Sequence, residues 1–323
     1  MFSATVAVGC AVRWLQSLFQ SCLDKETELL DGRAFNTKTI SFHALRRAQT
    51  TIEDFVLSYF HWHGLQLRDF FRLMPVLVFV EATIYQMDED NEDIAQTAQA
   101  LPDYQFPAFV TIERVLRAEK LWDDRIAAEL ASGNLYWQLE RGICSRWAAG
   151  QMVTEQEVLA CSMRKSFDYR VLNLLLYKLT GRPYDDAELE FLRVDEHLVD
   201  INDDLVDYEK DLHRNSFNIY RGFVLCHGAD QAQLRLIQRI SQFEAELETK
   251  LQLLDPERRA CYCKRRTDAM EEPGSEKWVF PMAIENENAF RVANGGTAVT
   301  VDGNEKKEIE GSLSSTSSAE ESE

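Results

Sequence analysis

Apolar residues recur along most of this chain at spacings of three and four, the period of a helix, and no stretch alternates long enough for a strand. Residues 42–60 and 65–87 carry the pattern. A third stretch, 107–131, opens on Pro107, a residue suited to the first turn of a helix. Thr154 with Glu157 forms a capping box for a helix running to about Leu179, where Gly181 and Pro183 stop it. Asp185 with Glu188 opens the next helix, through about His213, and Asp230 with Gln233 opens another through Leu254. Near the start, Val8, Val12, Leu15 and Phe19 share one face and predict an N-terminal helical segment over 1–40, with an organelle-targeting segment as the alternative. From Val292 the periodicity dissolves into a tail with seven acids, two lysines and no aromatic, too polar to repay the entropy of ordering. The pattern therefore predicts an all-α fold: one helical domain over 41–290 and a disordered, acidic Ser/Glu-rich tail over 291–323.

Charge narrows the function. Lys and Arg number 35 against 54 Asp and Glu, a net charge of −19, and the isoelectric point is near 4.8. A nucleic-acid binder needs the opposite balance, and so does a surface that holds anionic lipid. Seven cysteines without paired metal-ligand spacing read as reduced thiols, which predicts a cytoplasmic protein; Cys261 and Cys263 have no second pair to complete a zinc site. The longest apolar run, Leu73 to Ile84, is interrupted by Pro75 and Glu81, so no transmembrane segment is expected.

The acids are not spread evenly. At about 100° per residue, Glu196, Asp200, Asp203, Asp204, Asp207 and Asp211 fall within an arc of about 100° on one helix. Val194, Ile201, Leu205, Tyr208 and Leu212 occupy the other side. A solvated face is the ordinary reading of such a run, but like charges one turn apart cost about 0.2–0.5 kcal/mol per pair. A helix facing divalent cations gains from that arrangement, because Mg²⁺ takes hard carboxylate oxygens. A second cluster, Asp88, Glu89, Asp90, Glu92 and Asp93, ends the most apolar helix, where acids oppose the macrodipole; Glu81 and Tyr85 lie on the same line. Two acid-rich helices facing across one aromatic-lined cavity would hold Mg²⁺ and a diphosphate. A diiron bundle would need Glu-x-x-His pairs, which the six histidines do not supply, and His61 and His63 point to different faces. Nucleophile elbows and phosphate-cradling Gly loops are absent.

With these motifs the chain resembles the class I terpenoid synthase superfamily, the helical fold of terpene cyclases and trans-prenyltransferases. Asp203-Asp204-Leu205-Val206-Asp207-Tyr208-Glu209-Lys210-Asp211 keeps the spacing of that family's second metal motif, often NDxxSYxKE, with Asp at all three ligand places, and its DDLVD resembles the second DDxxD of chain-elongating prenyl synthases. Asp88-Glu89-x-x-Glu92, or alternatively Glu89-Asp90-x-x-Asp93, resembles the first aspartate-rich motif, and CSMRKSFDYR resembles the helix whose arginine senses diphosphate. The resemblance covers roughly residues 40–285 and implies a helical bundle around a central apolar cavity. It implies a multi-ion Mg²⁺ cofactor on Asp88, Glu89, Glu92, Asp203, Asp207 and Asp211. Arg164, Arg170, Lys210 and Arg214 would contact diphosphate, and Phe79, Tyr85, Phe106, Phe109 and Phe167 would line the pocket. The implied activity is a lyase that ionises a prenyl diphosphate substrate to a carbocation, without an acid–base residue to start it. A chain-elongating transferase, or an inactive helical interaction protein that kept the fold, are the alternatives.

Overall fold

The computed structural model describes residues 40–96, 108–270 and 277–296. The N-terminal segment read over 1–40 (apart from residue 40), Phe106, Pro107, and the tail from 297 on lie outside them, as does the Asp93 side chain. The described chain is all-α, with no strand. Its helices are α1 (Phe42–Tyr59), α2 (Phe70–Gln96), α3 (Ala108–Ala118), α4 (Asp124–Ala148), α5 (Glu155–Ser162) and α6 (Phe167–Thr180). Then follow α7 (Asp186–Val206), α8 (Tyr208–Arg214), α9 (Ile219–His227), α10 (Ala229–Leu251), α11 (Pro256–Met270) and α12 (Glu287–Ala293).

Two helices organise the packing. The apolar helix α2 runs against α1, α3, α4 and α6, and α7 packs against α6, α9 and α10. By length and composition Leu67–Glu92 satisfies the requirement for a membrane-spanning helix, which the count of uninterrupted apolar residues did not register. Leu77, Val80 and Ala82 are fully buried, so this helix forms part of the protein's own core.

Three helices that the apolar period predicts as continuous are each broken. The stretch 107–131 holds α3 and only the start of α4, which runs on to Ala148; the two are separated where Lys120 adopts φ +61° and Asp123 caps α4 by accepting from the Arg125 and Ile126 amides. The stretch 154–179 contains α5 and α6 with a turn at 163–166, although the Thr154–Glu157 capping box forms as its residues dictate. The stretch 185–213 breaks at Asp207. Gly228, at φ +76°, turns the chain into α10, so Asp230 lies inside the first turn rather than at the cap. At the other end, α12 continues past the end of the apolar pattern because polar groups hold it. Glu287 pairs with Arg221 at 2.6 Å and with Arg291 at 2.7 Å, and Arg291 donates to the Leu212 carbonyl.

Phe167 shows how closely α4 and α6 pack. Its ring stands edge-on to Trp137, with centroids 5.2 Å apart, and a Cβ added at Gly133 would sit far inside contact with that ring. Gly133→Ala is therefore expected to lower unfolding free energy by about 1–3 kcal/mol despite alanine's better helix propensity, measurable by urea titration.

Candidate functional site

The acidic stripe of α7 is only partly solvated. Glu196 and Asp204 are 4% and 1% exposed, while Val194, Ile201 and Leu205 on the other side are buried too. The helix is enclosed along its apolar side and in part along its charged side. Asp203 and Asp207 are more open and mark the rim of the charged side.

The α2 cluster reaches the same region. Asp88 accepts from Arg47 of α1 and from the Trp137 indole of α4, each at 3.1 Å. Glu92 is raised above the usual carboxylate range by burial, then by Asp88 and by Asp211 of α8, while Arg47 and Arg214 oppose the rise. Charge–charge effects weaken with separation, so this one side chain of α2 lies near both an acid and a base of α8. Glu140 of α4 joins them: burial, Asp88 and Glu92 push it up to about 8, and it accepts from Asn91 at 2.7 Å and from the Tyr136 hydroxyl at 3.2 Å. Glu89 turns the other way, to Ser41 and His43 at the start of α1.

The break at Asp207 has an identifiable cause. The Asn218 amide donates to the Asp204 carbonyl at 2.6 Å, taking the acceptor that the next helical turn would use, and also donates to the Asp211 carboxylate at 3.0 Å. The Asp204 carboxylate meanwhile accepts the Ile219 amide at 2.7 Å. The loop before α9 thus re-aims the second half of the stripe.

The turn between α5 and α6 supplies the central cation. The Lys165 ammonium pairs with the Asp204 carboxylate, and although burial alone would lower its pKa, Asp204, Asp200 and Asp211 hold it well above the ordinary lysine value. Burial raises Asp200 to about 7, opposed by Lys165 and by the Ser166 hydroxyl, which donates at 2.7 Å. Burial and Asp204 raise Asp211 to about 6, opposed by Asn218 and Lys165. Desolvation raises Asp203 as well, with Asp204 and Asp207 adding to it.

The expected diphosphate contacts separate into two groups. Arg170 is buried, donates to Glu129 and the Arg164 carbonyl, and faces Glu196 at 3.8 Å, so its guanidinium is committed within the core. Arg164 donates to the Ala160 carbonyl one turn back. Lys210 pairs with Asp207 at 2.7 Å on the rim, and Arg214 is exposed near Glu92. Of the aromatics, Phe79 is in the core, and Phe109 stacks on Trp137 at 5.8 Å with Phe167 against the same indole. Tyr85 bonds Thr51 at 2.6 Å under the Arg47 guanidinium, 4.3 Å from its ring centre.

Sequence reasoning passed over Lys165, Arg47, Trp137 and Glu140. Only Lys165 carried a signal: it lies in Met163-Arg164-Lys165-Ser166, a polar interruption in an otherwise apolar helix pattern. Among the described residues no three His, Cys, Asp or Glu side chains already converge as metal ligands would. No family model, curated protein or solved structure matches this chain.

Proposed function

We propose that the chain is a Mg²⁺-dependent enzyme of terpenoid synthase type that ionises an allylic prenyl diphosphate. One observation carries this reading: Glu92 of α2 is raised first by burial, then by Asp88 one turn before it and also by Asp211 of α8, so the two acidic segments share one electrostatic environment. The residues fit a divalent cation by their chemistry. All are hard oxygen donors, and Glu92, Asp203 and Asp211 are raised, first by burial and then by neighbouring carboxylates, a setting that a bound cation would relieve. Asp88 and Glu92 on one side and Asp203, Asp207 and Asp211 on the other would hold the ions; Glu89, turned toward α1, is the least suited of the six. When bound, Mg²⁺ supplies charge neutralisation to the departing diphosphate.

The chain's own groups supply the rest. Lys210 and Arg214, at the open side, attract the diphosphate and fix its orientation, and Arg47 adds a third cation beside Asp88. Phe109, half-buried and stacked on the enclosed Trp137 that bonds Asp88, offers π surface suited to a positively charged hydrocarbon. The test is incubation with prenyl diphosphates of several chain lengths, with and without Mg²⁺. Diphosphate release and gas chromatography of the products separate a cyclase from a chain-elongating enzyme. Absence of Mg²⁺-dependent release for every substrate defeats the proposal.

A second reading has its own support in the Lys165–Asp204 ion pair, a permanent cation inside the second acidic segment. An interaction protein that kept the fold and replaced metal by lysine would look like this. Mg²⁺-dependent binding of inorganic diphosphate, followed by calorimetry, distinguishes them, since the scaffold should bind none.

A further inference from the structure

Helix α7 has a second polar flank away from the acidic arc. With Asp203 at zero, Asp195, Leu198 and Asn202 fall between about 220° and 280° around the helix axis, roughly opposite the arc. These three residues line a cavity of about 300 Å³, the low end of the size that takes a small organic ligand. Leu247 and Leu251 of α10 and Tyr262 of α11 add to its lining, and all three are buried, as Leu198 is.

The remaining wall is Trp278, in the extended segment before α12. Its backbone lies at φ +61°, in the left-handed region that a bulky L residue rarely adopts. Such a conformation persists only where the surroundings hold it. The Trp278 amide donates to the Asn202 side-chain oxygen at 3.3 Å, and its indole N–H donates to Glu244 of α10 at 3.2 Å. Backbone and ring are thus tied to two walls of the same cavity, which gives a ligand a preformed aromatic face.

The charges at the cavity divide by what they already touch. The acids are engaged. Buried Asp195 accepts from the Tyr262 hydroxyl at 2.8 Å and pairs with Arg265 at 2.7 Å. Glu244 accepts the Trp278 indole, and Glu248 accepts the Gln252 side-chain amide at 2.7 Å. The cations are not. Arg266 and Lys277 line the cavity and are exposed, and neither side chain makes an ion pair or a hydrogen bond among the described residues. In a chain with 54 acids and 35 bases, two cations at one cavity without a carboxylate are open donors for an anion from outside. Glu244 and Glu248 beside them repel a second negative group, which limits the ligand to one charge.

We propose that this cavity binds an organic monoanion with an apolar body, of the class of medium-chain carboxylates. The carboxylate meets Arg266 and Lys277, and the hydrocarbon lies against Leu198, Leu247, Leu251 and the Trp278 ring. The site is separate from the acidic arc and stands whether or not that arc holds metal.

Calorimetric titration of the full chain with octanoate is expected to show one saturable site, with octylammonium bound at least about tenfold more weakly. Arg266→Ala combined with Lys277→Ala should weaken octanoate at least about tenfold, with helical circular dichroism and thermal midpoint unchanged, because both side chains are exposed and unpaired. Val199, 55% exposed, also lines the cavity, and Val199→Trp should fill it from its open part and remove octanoate binding. Absence of saturable octanoate binding to the wild type overturns the proposal. Octylammonium that binds as tightly as octanoate also overturns it and assigns the cavity's recognition to Glu244 and Glu248. Octanoate affinity that is unchanged in the double variant or in Val199→Trp overturns it as well.

Discussion

Replacing Asp207 by Ala is expected to cut Mg²⁺-dependent diphosphate release at least about a thousandfold while leaving the helical circular dichroism spectrum and the thermal midpoint close to wild type. The size follows from losing one hard ligand, worth several kcal/mol of charge stabilisation, at about 1.4 kcal/mol per factor of ten. The specificity follows from position. Asp207 lies at the break between α7 and α8, its side chain is 46% exposed, and its one ion pair is with a lysine 54% exposed, a contact that contributes little to stability. Its carboxylate makes no capping bond to α8, so the fold does not rest on it. Asp203, also open to solvent, should behave in the same way. Asp211 is a poorer probe, because its carboxylate also ties down Asn218 and so helps to shape the break. Normal turnover in Asp207→Ala would remove that residue from the metal-holding set. Loss of helix content would assign it to the fold instead.

The contrast between Asp207 and Asp211 also shows what sequence can carry. The apolar period gives no range for α9, α11 or α12. It does locate α1, α2, α7 and α10, and the acidic arc of α7 follows from counting residues at helical spacing, since these properties belong to one continuous segment. The helix breaks do not. Neither 163–166 nor Asp207 is marked by Gly or Pro. The Asp207 break is made by Asn218, a residue in the following loop whose amide competes for one carbonyl. The same limit hides the site's charge balance. Asp204 sits at the edge of the acidic arc, yet it is the most deeply buried member, with Lys165 and the Ile219 amide converging on it from two other segments. Arg170 looks from its neighbours like a phosphate contact, but it is buried against Glu129 and Glu196 by the packing of α4 and α7 on α6. Periodicity reports which residues share a face. It does not report what the opposing helix has placed there.

Lys165→Met is expected to destabilise the protein by about 3 kcal/mol at neutral pH, the lower part of the range for breaking a buried ion pair, because the lysine side chain keeps 29% of its surface while Asp204 keeps 1%. The loss should depend on pH in a fixed direction. Asp200, at about 7, and Asp211, at about 6, already lie above the unfolded value near 3.9, so the folded state holds more protons than the unfolded one. For these two groups stability therefore falls as pH rises from about 4 through their folded values. Lys165 opposes both shifts, and without it the two values climb further. The variant's deficit should accordingly grow between about pH 4 and pH 8 and shrink toward acid, where carboxylates are protonated in both states. Urea titrations at several pH values measure this directly, and a deficit that is constant or larger in acid would contradict it. Mg²⁺ adds a second axis. If the acids of α7 and α8 take a divalent cation, removing the built-in ammonium strengthens their pull on it, and millimolar Mg²⁺ should recover part of the lost stability by mass action. If Lys165 is instead the permanent occupant of a metal-free scaffold, Mg²⁺ should protect wild type and variant no better than an equal ionic strength of sodium salt. The stability of a single variant, measured with and without Mg²⁺, therefore separates the enzymatic reading from its rival without any substrate in hand.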